Sequence, residues 1–422
     1  MSIKLLQANL RPTDRVGRYP KHNFLAREVP YSAVPIMLAP VLPGESLTNL
    51  YFESRVVSDP VKNPLIGWKK EYYFFYVKIT DLLVDAIRDM FVDPNNVDLT
   101  ATLGAAANNS PYYIAKGAID YRRRCLKAVM EHYFRDEGEA WDLLVDANGY
   151  PMVQIKDNLW MDTLTDKDLM PQGEDISDAT TAGDLDRLMD AFEQLRALGV
   201  SNMAYEDWLR SHGISIPNKD ENKPELLARF SDFQYPSNTV DPATGTPSSA
   251  LSWVFKNSSR DPKFFKEPGF VLGVSITRPK LYYSGLAGDL SGFMGRAWDW
   301  MPNYLSAMPE TSLKYFAGDT GPLGDRTTAP DSYWVDMRDL LLYGDQFQNM
   351  APFAAVPATD GANHMVPLPT GDTFNSKNVS EAMVKQLFTT PATNFYIRQD
   401  GYASLSVKGV QTDYTKGNIA SN

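Results

Sequence analysis

The chain has 422 residues, of which 43% are hydrophobic, and this is enough to bury at least one large core. Its formal net charge of −11 excludes a protein that coats nucleic acid with its whole surface, because phosphate binding depends on Lys and Arg. The single cysteine, Cys125, excludes an internal disulfide framework and a multi-thiolate zinc site, which suits a reducing compartment or an environment where disulfides are unnecessary.

Residues 1–30 show no sustained hydrophobic period and carry six basic and two acidic side chains, a net charge of +4. They lack an apolar run of signal-peptide length, and the richest apolar run that follows, VPIMLAPVLPG at residues 34–44, is short and broken by prolines. We therefore expect a basic N-terminal arm over residues 1–30, no signal peptide and no membrane insertion.

Residues 34–78 alternate between apolar and polar side chains between Pro and Gly turn signals, which predicts two or three strands. The last of these, in WKKEYYFFYVKIT at residues 68–80, carries five consecutive aromatic residues from Tyr72 to Tyr76. Because successive strand side chains point to opposite faces, both faces of this strand are aromatic. A sheet in a soluble protein normally leaves one face exposed to solvent. Because both faces of this strand are aromatic, another part of the protein or a partner must cover the second face.

Helical spacing follows in four segments. A helix is predicted from Thr80 to Pro94, and a second opens at Ser110-Pro111 and runs through His132. Two more are predicted at residues 185–198 and 201–212. In the second helix a single buried stripe contains Ile114, Ala118, Tyr121, Cys125, Ala128 and His132.

The remaining chain alternates between loops and strands. Residues 213–262 carry six prolines and indicate a long loop, whereas residues 268–284 indicate a half-buried strand. Residues 285–375 indicate loops with one short helix around Val335–Tyr343. Two strands near the end flank Asp400-Gly401, a strong hairpin signal.

The strand signals are thus scattered along the chain. A parallel α/β fold would alternate strand and helix regularly, and this chain does not. Strands that meet across such separations are typical of Greek-key sandwiches and jelly rolls. We expect one mainly β domain over residues 31–422, with strands mainly in residues 34–80, 268–284 and 392–410, and insertions at about 81–265 (helices and loops) and 285–390 (loops).

The pattern of candidate chemical groups argues against catalysis. Cys125 lies on the apolar stripe of a helix, which favours a buried structural cysteine over a nucleophile. His132 shares that stripe and has no His partner at metal-ligand spacing, which predicts a core or interface histidine. The glycines of residues 285–295 match neither a P-loop nor a dinucleotide motif, and acidic pairs such as Asp336/Asp339 and Asp184/Asp186 are typical of a solvated face. We expect no catalytic residue, no metal and no cofactor.

Positive charge gives the best candidate for binding. Three consecutive arginines sit on the second helix, and sequence-independent contacts to a nucleic-acid backbone need only positive charge and hydrogen-bond donors. A solvated or salt-bridged face is the alternative for these side chains. The candidate nucleic-acid contacts are Arg11, Arg15, Arg18, Lys21, Arg27, Arg122, Arg123 and Arg124.

Four stretches, taken in order, resemble the major capsid proteins of microviruses, small tailless icosahedral bacteriophages with circular single-stranded DNA. Each individual motif is loose, but their order along the chain is specific. The stretches are VPIMLAPVLPG through YYFFYVKITDL, the helix ending CLKAVMEHYFRD, the segment ISDATTAGDLDRLMDAFEQLRALGVSNMAYEDWLRSHGI with KPELLARFSDF, and EPGFVLGVSITRPKLYYSGL with the C-terminal NFYIRQDGYASLSVKGVQTDYTKGNIASN.

The resemblance implies an eight-stranded jelly roll with long insertions, assembled through pentamers into the simplest (T=1) icosahedral shell, without enzymatic activity. One face of the aromatic strand would fill the sandwich core, and inserted helices or a neighbouring subunit would cover the other. It also implies a virion capsid assembled in the host bacterial cytoplasm. Its partners would be further copies of itself, the single-stranded DNA genome on the inner surface, a small basic internal protein, scaffolding proteins and a host surface receptor.

Two other functions remain open from the residues alone. A carbohydrate-active enzyme on a β-sandwich would use paired carboxylates, with loop aromatics stacking on sugars, and a monomeric β-sandwich adhesin would need neither. The chain carries 22 Tyr, 20 Phe and 8 Trp, many of them in loops. Aromatic residues are enriched where surfaces are buried against partners, which favours self-association.

Overall fold

The computed structural model describes the greater part of the predicted strand regions. In these parts of the chain the protein is mainly β and its sheets are antiparallel, as the sequence predicts. The described residues are 15–62, 66–82, 119–135, 140–153, 181, 183–184, 187, 223–240, 247–280, 313–317, 332–336, 379–385, 387–390 and 393–410.

The N-terminal segment contains two strands, β1 (Arg15–Arg18) and β2 (Lys21–Glu28). Part of the predicted basic arm therefore forms strands, at residues 15–18 and 21–28. The inward positions of β2 include only one buried apolar side chain, Phe24, and the next buried position, Glu28, is charged. A charged residue in the buried register hides the period of two that predicts a strand.

Three strands occupy the next region, β3 (Val34–Val41), β4 (Ser46–Ser58) and β5 (Trp68–Lys78), and this prediction is confirmed. A short 3-10 turn, Thr80–Leu82, follows β5. The rest of the helix predicted up to Pro94 lies outside the described residues.

The first described α-helix, α1 (Tyr121–Tyr133), lies within the second predicted helix, whose predicted start at residues 110–118 is outside the described residues. Ile119 and Asp120 are not helical, and the Asp120 carboxylate accepts a hydrogen bond from the Arg123 N–H at 2.9 Å. This is an N-cap, which satisfies a donor left open by the first turn and fixes the helix start. The helices predicted at residues 185–198 and 201–212 lie, apart from position 187, outside the described residues.

The predicted loop at residues 213–262 is wrong, because strands occupy much of this segment. Prolines are compatible with strands when they lie in the connections between them. Pro236 lies between the first and second strands of the segment, and Pro262 lies between the fourth and fifth. The strands are β6 (Glu225–Gln234), β7 (Ser237–Val240), β8 (Pro247–Ala250), β9 (Ser252–Ser259) and β10 (Lys263–Phe264).

The strand predicted at residues 268–284 is present as β11 (Gly269–Pro279), but it is buried on both faces rather than one. It lies between β3 and β5, so both of its edges are paired. Two further strands, β12 (Leu313–Ala317) and β13 (Ser332–Asp336), pair with each other. The helix predicted from Val335 therefore does not begin there, since Val335 and Asp336 are in β13. A short helix, α2 (Glu381–Lys385), precedes the last strand.

The predicted C-terminal hairpin is wrong, because β14 (Ile397–Val410) continues through Asp400-Gly401. A Cβ added to Gly401 would lie 2.3 Å from the Glu53 carbonyl oxygen and 2.9 Å from the Phe24 ring. The glycine therefore allows close packing between two flanking strands rather than a turn.

Two sheets pack face to face. In the first sheet, β14 pairs with β1 and β2 on one side and with β4 on the other, and β4 pairs in turn with β9 and β10. The second sheet has the order β3-β11-β5-β6. Between the sheets, the Phe52 ring lies 4.3 Å from Tyr72 and 5.5 Å from Phe74, measured between centroids.

The other face of the aromatic strand β5 is covered by α1. The ring centroids of Phe75 and Tyr133 are 4.7 Å apart, and those of Tyr73 and Phe134 are 5.3 Å apart. The protein's own helix thus buries the second face within one chain, which was one of the two covers expected for it.

Candidate nucleic-acid interface

The first sheet has an outer face that is polar and largely exposed. Inward side chains such as Phe52, Phe255 and Ala403 are buried, so their neighbours in sequence point outward. Strand register aligns the outward residues in rows; Arg27 lies opposite Arg398, for example. We define the outer face by sixteen residues: Lys21, Asn23, Leu25 and Arg27 on β2, Arg398, Asp400, Tyr402 and Ser404 on β14, Tyr51, Glu53, Arg55 and Val57 on β4, and Ser252, Val254, Lys256 and Ser258 on β9.

The outer face is basic although the chain is acidic. Five of its residues are Lys or Arg and two are Asp or Glu, so its net charge is +3, whereas the whole chain has −11. The acidic residues lie on the two central strands, while Lys21 and Arg27 lie on β2, to one side of β14. A surface of this charge attracts a polyanion.

Aromatic rings accompany these charges. The rings of Tyr51 and Tyr402 lie 5.6 Å apart, and the Lys21 Nζ lies 3.8 Å from the centroid of Tyr402. The Arg27 guanidinium lies 4.2 Å from the ring centroid of Tyr396, which adjoins the outer face. The Tyr51 hydroxyl donates to Glu53 at 2.8 Å, and this bond raises the pKa of Tyr51. Flat rings beside cations resemble the platforms on which single-stranded bases stack.

Arg18, a predicted contact, is committed to a structural ion pair. Its guanidinium donates two hydrogen bonds of 2.6 Å to the Glu45 carboxylate and one of 2.8 Å to the Pro40 carbonyl. The hydrogen bond to Glu45 raises the pKa of Arg18. Among the other predicted contacts in this segment, Lys21 and Arg27 lie on the outer face, and the backbone of Arg15 lies in β1 opposite Val410. Arg11 lies outside the described residues.

The three predicted arginines are on α1, which packs on the second sheet. Arg123 contacts the Trp141 ring, 5.4 Å from its centroid, and forms an ion pair with Asp142 at 3.9 Å. Arg122 lies close enough to His22 to affect its protonation: burial lowers the pKa of His22, and the positive charges of Arg122 and Arg18 lower it further. The predicted contacts that the structure describes therefore lie on two parts of the chain, the N-terminal strands and α1.

Three basic residues of the outer face were not predicted from the sequence, Arg55, Lys256 and Arg398. The sequence does carry a signal for them, because each occupies an outward-pointing position in the alternation of its own strand. It was hidden because β9 was interpreted as a loop and β14 as a hairpin. Arg398 forms an ion pair with Asp59 at 2.6 Å.

The remaining sequence candidates give no catalytic arrangement in the part of the chain that the structure describes. Cys125 is fully buried, and burial raises the pKa of its thiol. His132 is exposed on α1, so it is not a core histidine, and the alternative expectation of an interface histidine stays a prediction. Asp184 accepts hydrogen bonds from the N–H and hydroxyl of Thr181, and Asp336 is in β13. The side chains of residues 186 and 339 and the glycines of residues 285–295 lie outside the described residues.

A scan against protein-family models found no match to this chain, and a search of curated proteins found no match either. No helix within the described ranges has the length and apolar character needed to span a bilayer.

Proposed function

We propose that this protein is the major capsid subunit of a small virus, and that it assembles through pentamers into an icosahedral shell enclosing a single-stranded DNA genome. Its partners would include a small basic internal protein, scaffolding proteins and a host receptor. The observation that carries the proposal is a nested order of strand pairs combined with a basic outer sheet face on an acidic chain.

The strand pairing supports an eight-stranded jelly roll. Leaving aside the short or peripheral strands, the chain order is β2, β3, β4, β5, β6, β9, β11 and β14. The first pairs with the last (β2–β14), the second with the seventh (β3–β11), the third with the sixth (β4–β9) and the fourth with the fifth (β5–β6). Such nested pairs result when one long antiparallel hairpin is wound into two facing sheets. Viral capsid domains are among the proteins that use this architecture.

The outer face supports a genome-facing role for the first sheet. Proteins that bind single strands without sequence preference combine a positive surface with aromatic rings. The second sheet already has a cover in α1, whereas the outer face of the first sheet exposes Leu25 to 84% and Val254 to 72%. We infer that the first sheet faces the genome and that α1 lies on the opposite side of the sandwich.

Assembly is the first test. The purified full chain should form pentamers or closed particles in sizing chromatography and negative-stain microscopy. A subunit that stays monomeric at high concentration, with and without single-stranded DNA, would contradict the proposal. A monomer that cleaves glycosides would favour the carbohydrate-active alternative.

DNA binding tests the outer face separately. Lys21→Ala combined with Arg27→Ala should weaken binding of oligo(dT) and lower the salt dependence of binding, by about 0.7 in log–log slope for each lost phosphate contact. Lys266→Ala removes an exposed lysine outside the outer face and is the matched control. Equal salt slopes for the double variant and the control would exclude the outer face as the contact.

A further inference from the structure

A polar cluster is enclosed between the two sheets. Lys70 of β5 and Ser275 of β11 belong to the second sheet, and Glu28 of β2 and Gln399 of β14 belong to the first. None of the four is more than 1% exposed. The ring centroid of Tyr72 lies 4.9 Å from the Lys70 Nζ and covers one side of the cluster. An amine, a carboxylate and a carboxamide are thus withdrawn from solvent together.

Glu28 contacts the amine with one carboxylate oxygen and the carboxamide with the other. The Lys70 Nζ donates a hydrogen bond to Oε1 of Glu28, and the Gln399 Nε2 donates to Oε2 at 3.0 Å. The Ser275 hydroxyl lies between the same two groups, since its Oγ accepts from the Lys70 Nζ at 2.6 Å and from the Gln399 Nε2 at 2.9 Å. The amine and the carboxamide are therefore neighbours, and one carboxylate is placed to exchange protons with both.

The carboxamide oxygen of Gln399 faces a hydrogen-bond donor. Its Oε1 accepts from the Tyr72 hydroxyl at 2.8 Å. Burial raises the pKa of Tyr72 well above its ordinary value, so the hydroxyl stays protonated. A fixed donor at this position stabilises the negative charge that forms on a carbonyl oxygen when a nucleophile adds to its carbon. The carboxamide is thus oriented as an acyl donor, with its oxygen towards Tyr72 and its nitrogen towards Glu28.

The amine of Lys70 is a nucleophile only in its neutral form. Full burial lowers the pKa of Lys70, whereas the negative charge of Glu28 acts in the opposite direction. The same carboxylate is the group that can take the proton, and desolvation in a pocket of this kind is one way in which lysines become nucleophiles. Because the folded chain already holds both reacting groups side by side, little entropy remains to be lost in bringing them together.

We propose that Lys70 and Gln399 form an isopeptide bond inside the folded chain. Glu28 takes a proton from the Lys70 ammonium group, the neutral amine adds to Cδ of Gln399, and the Tyr72 hydroxyl stabilises the oxygen of the tetrahedral intermediate. Glu28 passes its proton to Nε2 and takes the second proton that Nζ loses. The Cδ–Nε2 bond then breaks, and the departing ammonia receives that proton and leaves as ammonium.

This step balances without an oxidant or an outside reactant. An Nζ–Cδ bond replaces the Cδ–Nε2 bond, Glu28 ends as the carboxylate with which it began, and the positive charge of Lys70 leaves with the ammonium. It is a single reaction within the chain and acts on no other substrate. Until the bond forms, Lys70 and Glu28 are the ion pair that the structure shows.

The bond would join the two sheets covalently. It would connect β5 to β14, and a covalent link that closes a long loop stabilises a folded chain mainly by restricting the unfolded one. The exclusion of solvent also protects the reacting carbonyl from competing hydrolysis.

The mass of the purified, denatured full chain tests the bond directly. After incubation at neutral pH the natural chain should be lighter than its sequence by one ammonia. Trypsin should leave the bond after Lys70 uncut and release a branched peptide that contains both Lys70 and Gln399, which tandem mass spectrometry can identify.

Three variants assign the roles. Gln399→Met removes the acyl donor and should keep the full mass; it should fold, because Glu28 retains hydrogen bonds from Lys70, Ser275 and Thr277. Glu28→Gln leaves the amine and the carboxamide in place but removes the proton acceptor, and it should also keep the full mass. Lys69→Met is the matched control, because this adjacent lysine has a side chain that is 41% exposed, and it should lose ammonia as the natural chain does.

Three results would overturn the proposal. A natural chain of unchanged mass would show that Lys70 and Glu28 remain an ion pair. Loss of one water instead of ammonia would place the bond between Lys70 and the Glu28 carboxyl. Loss of ammonia that persists in Gln399→Met would arise elsewhere, for example by succinimide formation at Asn148-Gly149. Because the mass is measured on the denatured chain, none of these results depends on whether the protein assembles into a shell.

Discussion

At the scale of single residues, the most unusual feature is a charged network inside the sandwich. Lys70 and Glu28 are fully buried and form an ion pair between the two sheets. The Lys70 Nζ also donates to the Ser275 hydroxyl at 2.6 Å, and Glu28 accepts from Ser275 at 2.6 Å and from the Gln399 amide at 3.0 Å. Every charge therefore has partners, which is the condition under which a buried pair is tolerated.

Breaking this pair on one side should be costly. Lys70→Met leaves Glu28 as an unpaired buried charge, and we expect a loss of about 3–5 kcal/mol in the free energy of unfolding, measured with urea. Adding Glu28→Leu to that variant should restore part of the loss, because no lone charge then remains buried. Lys256→Met on the outer face is the control, with an expected change within about 0.5 kcal/mol. Additive losses in the double variant would show that the two residues are not coupled.

A second carboxylate, Glu71, links stability to pH. Burial alone would raise its pKa, but the charge of Arg278 and hydrogen bonds from Arg229 and Arg278 overcome this effect and lower the pKa to about 2. Because the folded-state pKa lies below the unfolded value, the stabilisation is complete above about pH 4.5 and is lost as pH falls towards 2. The shift from 4.5 to about 2 corresponds to about 3 kcal/mol.

Glu71→Gln should remove this part of the pH dependence. Its free energy of unfolding should change less between pH 5 and pH 2.5 than that of the natural chain, while Asp232→Asn, at an exposed position, should leave the dependence unchanged. Parallel curves for Glu71→Gln and the natural chain would contradict the assignment.

At the scale of elements, the strands that flank a segment determine which local structure its residues adopt. Asp400-Gly401 is a turn signal in isolation, but β14 is paired on both edges at this point, with Phe24 opposite Gly401 on β2 and Ser54 opposite it on β4. The glycine is required because the backbone of β4 approaches closely. The same sequence would form a hairpin only if these flanking strands were absent.

Gly401→Ala should therefore destabilise the protein by about 1–3 kcal/mol, as overpacking in a core does. Gly17→Ala is the control, because its Cβ would meet only the end of the Tyr19 side chain, at 3.0 Å, and that ring can move. Thermal unfolding of the two variants distinguishes them. Equal Tm values would show that the strand adjusts at Gly401 without cost.

At the scale of the whole molecule, local patterns predicted the apolar strands but not the ones that depend on distant partners. The aromatic strand β5 and the strand β11 were evident because their side chains are apolar in long runs. The strand β2 was missed because its buried Glu28 is neutralised by Lys70, a residue 42 positions away. Sequence patterns predicted only part of the outer face. Its rows join β2, β4, β9 and β14, and no single segment of the sequence determines the register between strands that are far apart in the chain.

Residues 1–28 provide a test of whether the first sheet depends on its N-terminal strands. Deleting residues 1–28 removes β1 and β2, which leaves an edge of β14 unpaired and Lys70 buried without Glu28. We expect the shortened chain to lose cooperative thermal unfolding and to aggregate, since an exposed strand edge is a template for association. Deleting residues 1–14 leaves both strands in place and should preserve the unfolding transition. If the longer deletion unfolds as cooperatively as the shorter one, the first sheet does not need its N-terminal strands, and β2 belongs to a detachable arm after all.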